Sequence, residues 1–227
     1  MKLTSKTKHI IISVVAVLGI VFGGVLMCNE PIQNAAIKHN QTTTVKKIKK
    51  LTPKKIKQNN KKPGTFNYNA VKPMNMGKAL KAQTQQRQLL GIGLLAIPDV
   101  NMHLPILKGL SDDNLATGGA TMRPDQVMGK GNYPLAGHYM TKNGILFSPL
   151  ENTKPGEKIY LTDLKYVYTY QIYYKKVVSP TSVYLVDNTK QPIVTLITCA
   201  DGGANRWAIR GALMSKQKAN SSNLAIF

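Results

Sequence analysis

From Leu89 to Lys216 the chain consists of short runs of β-branched, aromatic and apolar residues, each cut off by Gly, Pro, Asn or Asp. The runs are Gly93 to Ile97, Met102 to Lys108, Tyr133 to His138, Lys158 to Asp163, Val167 to Val178, Ile193 to Cys199 and Trp207 to Lys216. Segments of this length and composition suit strands, and the breakers between them suit turns. Successive short strands with no long helical runs between them must hide their edges in a barrel or sandwich. The pattern therefore predicts an all-β domain. Leu110 to Ala116 and Leu146 to Leu150 read as short helical pieces within it, and no internal repeat is visible. Phe66 to Gln88 is expected to pack across the domain as an N-terminal extension, with a helix over Gly77 to Gln88.

The first sixty residues are of another kind. Ile10 to Cys28 is nineteen residues without a charge, long enough to cross a bilayer as a helix. Lys2, Lys6 and Lys8 precede it and Glu30 follows, which by the positive-inside bias leaves the N-terminus in the cytoplasm. The competing reading is a cleaved signal peptide. Against it stand the length of the run and the bulky Val25-Leu26-Met27-Cys28, where a signal peptidase or a lipoprotein cysteine needs small residues. From Pro31 to about Gly64 the chain is polar and dense in lysine, with little to bury, and is expected to be a disordered tether.

The formal charge of +21 is concentrated in that region, where Met1 to Lys62 carries 13 lysines against one acid. No nucleic-acid-binding motif accompanies it, and its position beside an apolar helix favours anionic lipid or an acidic wall polymer as neighbour, the two remaining open. Two cysteines, Cys28 and Cys199, lie in different parts of the chain, so a disulfide between them is not expected. No zinc spacing of Cys and His occurs.

The distal cysteine carries the chemistry. Pro192-Ile193-Val194-Thr195-Leu196-Ile197-Thr198-Cys199 reads as a buried strand ending in a thiol, followed by the turn formers Ala200-Asp201-Gly202-Gly203. A thiol becomes a nucleophile beside a base or cation, and acyl transfer needs a fixed positive group near the developing oxyanion. His138 and Arg206 are the candidates. His9 and His39 lie in the anchor and tether, and His103 alternates with apolar neighbours as a satisfied histidine would. Arg206 and Arg210 are four residues apart and share one strand face, so parity alone leaves both open.

These residues resemble a known family. Thr195-Leu196-Ile197-Thr198-Cys199 is similar to the sortase signature of threonine-leucine-x-threonine-cysteine, and Leu135-Ala136-Gly137-His138 resembles the sortase histidine motif. Arg206 stands where sortases carry their arginine. The resemblance runs from about Phe66 to Met214 and is nearest in form to the class A, or housekeeping, sortases of Gram-positive bacteria. It implies a closed eight-stranded barrel with short helices over residues 65–227; by charge and hydropathy the residues before it read as a cytoplasmic N-terminus (1–9), a transmembrane signal anchor (10–28) and a lysine-rich linker (29–64). It implies Cys199, His138 and Arg206 as catalytic residues, with Ala136, Thr195, Ile197 and Thr198 near the bound peptide, although Thr195 and Ile197 read equally well as core. The activity implied is transpeptidation outside the cell. A secreted protein with a C-terminal signal of the leucine-proline-x-threonine-glycine (LPXTG) type would be joined to the amine of a lipid II-like wall precursor. No cofactor is expected. Some class A sortases bind calcium before the histidine, but the loop Thr121 to Asn132 holds Asp125 as its only acid, too few oxygens for that ion. Two alternatives compete: a class C, pilin-polymerising sortase, and a non-catalytic domain that binds wall polymer. The lid motif and second membrane segment usual in class C are not found.

Overall fold

The computed structural model describes residues 5–68, 71, 77–78, 82, 89–140, 142 and 144–227; within residues 5–29 the side chains described are those of residues 6, 11, 13–19 and 23. Most of the expected N-terminal extension, Phe66 to Gln88, lies outside the described residues. Of its described members, Tyr68 donates its hydroxyl to Met122 O (2.6 Å) and Ala82 is buried.

Eight strands form a closed barrel: β1 (Gly91–Ile97), β2 (Met102–Leu107), β3 (Gly119–Thr121), β4 (Asn132–Ala136), β5 (Lys158–Thr162), β6 (Tyr166–Val178), β7 (Ile193–Ala200) and β8 (Asn205–Lys218). Their order around the barrel is β1-β2-β3-β4-β7-β8-β6-β5, and β5 returns to β1 to close it. Closure leaves no long unpaired edge, which answers the constraint read from the sequence. Pairings are antiparallel except β2 with β3 and β4 with β7.

Alternation along the strands sorts side chains into an interior and an exterior set. Tyr133 and Leu135 of β4, Tyr168, Tyr170 and Ile172 of β6, Val194 and Leu196 of β7 and Ile209 of β8 share the main core with Phe147 and Leu150. Seven strands were legible in the sequence; β3 was not. Its three residues, Gly-Ala-Thr, have neither alternation nor β-formers enough to register, and it exists because its backbone completes the seam between β2 and β4. The two expected helical pieces appear as the short helix α3 (Asp112–Leu115; α1 and α2 are given below) and a 3-10 turn over Ser148–Asn152.

The tether expectation is corrected. Residues 29–64 are not a disordered linker: α1 runs over Ser5–Lys49 and α2 over Pro53–Lys61. The reason is burial. Ala36 and Ile37 join the main core, while Val45, Ile48 and Ile56 form a second cluster with Leu94, Ala96 and Val167. Residues 37, 41, 44, 45 and 48 are spaced three and four apart, which is one helix face, and the intervening lysines point to solvent. Thr52 caps α2 by accepting from Lys55 N, and Asn59 Nδ2 donates to Gly91 O (2.9 Å). The chain end completes the same cluster: after β8 a short helix α4 (Ser221–Leu224) brings Phe227 against it.

Ile10 to Cys28 falls within α1, as a helix. Among the described residues no helix is long and apolar enough to cross a membrane.

Docking of α1 and α2 has a measurable consequence. Ile48→Ala in the full chain should lower the unfolding free energy by about 2–5 kcal/mol in a urea titration, the cost of deleting a fully buried isoleucine side chain. A tether would show no change.

Candidate active site

β7 ends at the cysteine because the next residues cannot continue a strand: Asp201, Gly202 and Gly203 all have positive φ and wind into a 3-10 turn before β8 starts at Asn205. β7 and β8 pair without a register shift, with Cys199 opposite Arg206, Ile197 opposite Ala208 and Thr195 opposite Arg210. Directly paired residues share a face, so the thiol and the Arg206 guanidinium project from the same side of the sheet. That is the outer side, since Val194, Leu196 and Ile209, of the other parity, fill the barrel.

On the opposite flank of β7, β4 runs parallel to it, with Ala136 beside Ile197. The pairing continues past the end of β4. Gly137 N donates to Ile197 O (3.2 Å), and Thr198 Oγ1 donates to Gly137 O (2.8 Å). His138, two residues beyond Ala136, is thereby carried alongside Cys199, two residues beyond Ile197. Gly137 is needed here: a Cβ would overlap the Phe147 ring that packs beneath it. Phe147 N in turn donates to His138 O (3.1 Å), tying the histidine backbone to the loop that follows it.

Cys199 is a free thiol, partly exposed. His138 is 8 % exposed, and its Nε2 has no hydrogen-bond partner among the described residues. Burial above all, with the nearby Lys78 ammonium adding to it and Asp112 opposing both, lowers its pKa to about 4. Lys78 and Asp112 are themselves paired at 3.1 Å. At neutral pH the imidazole is therefore an uncharged base with an unengaged ring nitrogen. Arg206 Nη1 donates to Gly203 O (2.7 Å) and Asn205 O (2.8 Å), which anchors the guanidinium to the turn after the thiol. Its Nε and Nη2 have no partner among the described residues. Arg210 is different. Its Nη2 donates to Leu185 O (3.0 Å), and it sits opposite Thr195, about 13 Å along the strand from the Cys199 level. Geometry separates the two arginines where parity could not.

The four residues expected near substrate divide. Ala136 and Ile197 are partly exposed on the outer face and pack with Ala120, Met122, Leu115 and Val186 into an apolar patch beside the thiol. Thr195 shares that face but is fully buried, with Oγ1 donating to Asn132 Oδ1 (2.7 Å). Thr198 does not face the groove. As the neighbour of Cys199 it points to the opposite side, is 2 % exposed, and spends its hydroxyl on Gly137 O. Thr195 and Thr198 thus brace the site and do not line it. Asn132, unremarked in the sequence, is a hub: its Nδ2 donates to Leu185 O and Asp187 O (2.8 and 2.9 Å) while its Oδ1 holds Thr195. A lone asparagine before a strand gives no signal of such a role.

In the loop before the histidine, the Asp125 carboxylate is gripped by Arg123 through Nη2 (2.7 Å) and Nε (3.1 Å), which holds its pKa below the usual carboxylate value. Among the described residues no group of three or more Asp, Glu, His or Cys side chains could hold a metal.

The depressed pKa of His138 makes stability depend on pH. The unfolded chain takes up a proton at this residue below about pH 6.5, and the native state does so only near pH 4. This contribution is complete above 6.5 and is lost as pH falls toward 4, reaching about 3 kcal/mol. In paired denaturant titrations at pH 7 and pH 4, His138→Gln should lose less stability across that interval than the wild type, by roughly that amount.

Comparison with known proteins places the family and the fold. The sortase-domain profile matches residues 95–214. The chain is 38 % identical over 185 residues to sortase A of Listeria monocytogenes, covering 82 % of each chain. It is 39 % identical over 206 residues to sortase A of Streptococcus agalactiae, covering 88 % of this chain and 83 % of that one. The crystal structure of the Listeria monocytogenes enzyme superposes with a TM-score of 0.57 at 44 % identity, over 58 % of this chain and 92 % of that chain. Sortase C-3 of Streptococcus pneumoniae superposes at 0.60 over 84 % and 96 % of the two chains but at 20 % identity, a likeness of fold alone. With its thiol and guanidinium on two paired strands of a closed barrel and its imidazole two residues past the end of the neighbouring β4, the chain belongs to the sortase family of cysteine transpeptidases, on the class A branch.

Proposed function

We propose that this sortase is anchored in the membrane by residues 10–28 as a single-pass helix with its barrel outside the cell. There it cleaves an LPXTG-type signal between threonine and glycine and joins the protein to the amine of a lipid II-like wall precursor. What supports the reading is that Cys199 and Arg206 are directly paired on the outer face of β7 and β8, with His138 two residues past the β4 position that pairs with Ile197 and an apolar patch alongside; a peptide laid there would meet all three groups.

The chemistry follows from their states. Neutral His138 takes the thiol proton, and the thiolate attacks the threonine carbonyl. The developing oxyanion is stabilised by the free donors of Arg206, which the turn holds in place before substrate arrives. As the carbon–nitrogen bond breaks, the imidazolium gives its proton to the departing glycine amine, leaving a thioester on Cys199. An incoming amine loses its proton to His138 and attacks the thioester, releasing the thiol. Ala136 and Ile197 offer the peptide's leucine and proline an apolar seat, and the small side chain at 136 leaves room for it. Support for the anchor is the uncharged run itself, nineteen residues lying within one helix and flanked by lysines on one side.

The full chain in detergent micelles, incubated with an LPXTG peptide and a short glycine peptide as amine, should form the amide product. Cys199→Ala should abolish turnover, and Arg206→Ala should lower kcat by about two to three orders of magnitude, as expected for loss of an oxyanion donor. Hydrolysed peptide without amide would mark a protease instead, and no turnover at all would favour a binding domain.

A further inference from the structure

The docked half of α1 touches the barrel where the loop after His138 turns back. Gln41, buried, accepts from Leu146 N through Oε1 (3.2 Å) and donates from Nε2 to His103 O on β2 (2.9 Å). One turn earlier, Lys38 Nζ donates to Gly144 O (3.1 Å). Ala36 and Ile37 pack into the same core cluster as Ile145, Leu146 and Phe147. Leu146 has φ of 48°, a left-handed conformation that a leucine holds only when its surroundings compensate for the strain. The residue after it is Phe147, whose backbone N–H holds His138 O and whose ring packs against Gly137.

We propose that Gln41 is a positioning residue for His138: α1 clamps the Ile145–Phe147 turn, and the turn sets the placement and burial of the imidazole. The inference deepens the transpeptidase reading and rests on it for its kinetic readout, though not for its structural one. Two polar contacts from a single helix, at Gly144 and Leu146, and a shared core cluster converge on the segment Gly144–Phe147, which is bonded directly to the histidine backbone. Gln41 is shaped for the task because its amide both donates and accepts, spanning β2 and the turn at once. Buried amide groups left without partners are costly, so the clamp is cooperative with docking of the helix.

The test uses the full chain. Gln41→Met keeps the volume and removes both hydrogen bonds; Gln41→Glu keeps an acceptor for Leu146 N. With active sites counted by thiol titration, Gln41→Met should lower kcat about tenfold at nearly unchanged KM for the sorting-signal peptide, the effect on imidazole placement of losing the bond to Leu146 N, the one of the two that reaches the turn. Gln41→Glu should recover most of that loss. In NMR titrations, which need no turnover, the His138 pKa should rise from about 4 toward 6.5 in Gln41→Met as the loosened turn admits water. Wild-type kcat together with an unmoved His138 pKa in Gln41→Met would overturn the proposal. So would a loss confined to the number of active sites, which would make Gln41 a stability residue only. If the wild-type chain forms no amide product, the transpeptidase reading fails, while the imidazole titration still decides whether the clamp exists.

Discussion

β4 and β7 run in the same direction, and this parallel pairing is the constraint on which the site depends. An antiparallel neighbour would carry the end of β4 to the far end of the barrel from Cys199. Running parallel, both strands reach the same rim, so His138 and Cys199, each two residues beyond the last paired positions, emerge side by side. The antiparallel β7–β8 pair then returns the chain across a tight turn and sets Arg206 opposite the thiol. Three groups sixty-eight residues apart at the extremes, those proposed to be catalytic, are brought to one rim by backbone register.

The bracing is done by buried residues behind the thiol. Thr198 turns inward and fastens β7 to Gly137; Thr195 reaches through Asn132 to the Leu185–Asp187 segment; Phe147 fills the space that the absent side chain of Gly137 leaves. The two threonines of the signature strand are therefore explained by the scaffold. Their small β-branched side chains keep the strand extended, and their hydroxyls satisfy buried carbonyl and amide groups that water cannot reach.

Much of this was legible in the sequence. Alternation and turn residues disclosed seven strands, and the motifs singled out Cys199, His138 and Arg206, the groups on which the proposed function rests. The limits have physical causes. β3 is too short to show a period. The docking of α1 and α2 was hidden by composition: residues such as Lys46, Lys47, Lys49 and Lys50 dominate the segment's average, while the sparse face of Ile37, Gln41, Val45 and Ile48 decides its fate. Burial depends on where apolar residues fall around a helix, not on how many there are. The inward direction of Thr198 was available from strand parity, because neighbours on a strand cannot both face the same groove.

A docked helix also changes the reach of the enzyme. Residues 29 to 49, drawn out as an extended chain, would span about 70 Å and let the barrel roam. Wound as α1 they rise only about 30 Å, and from Ala36 onward they are fastened to the barrel wall. The thiol consequently works at a constant height above residue 29, like a tool on a short rigid arm. Under the proposed function, slack for bringing a scissile bond to that height must come from the client polypeptide.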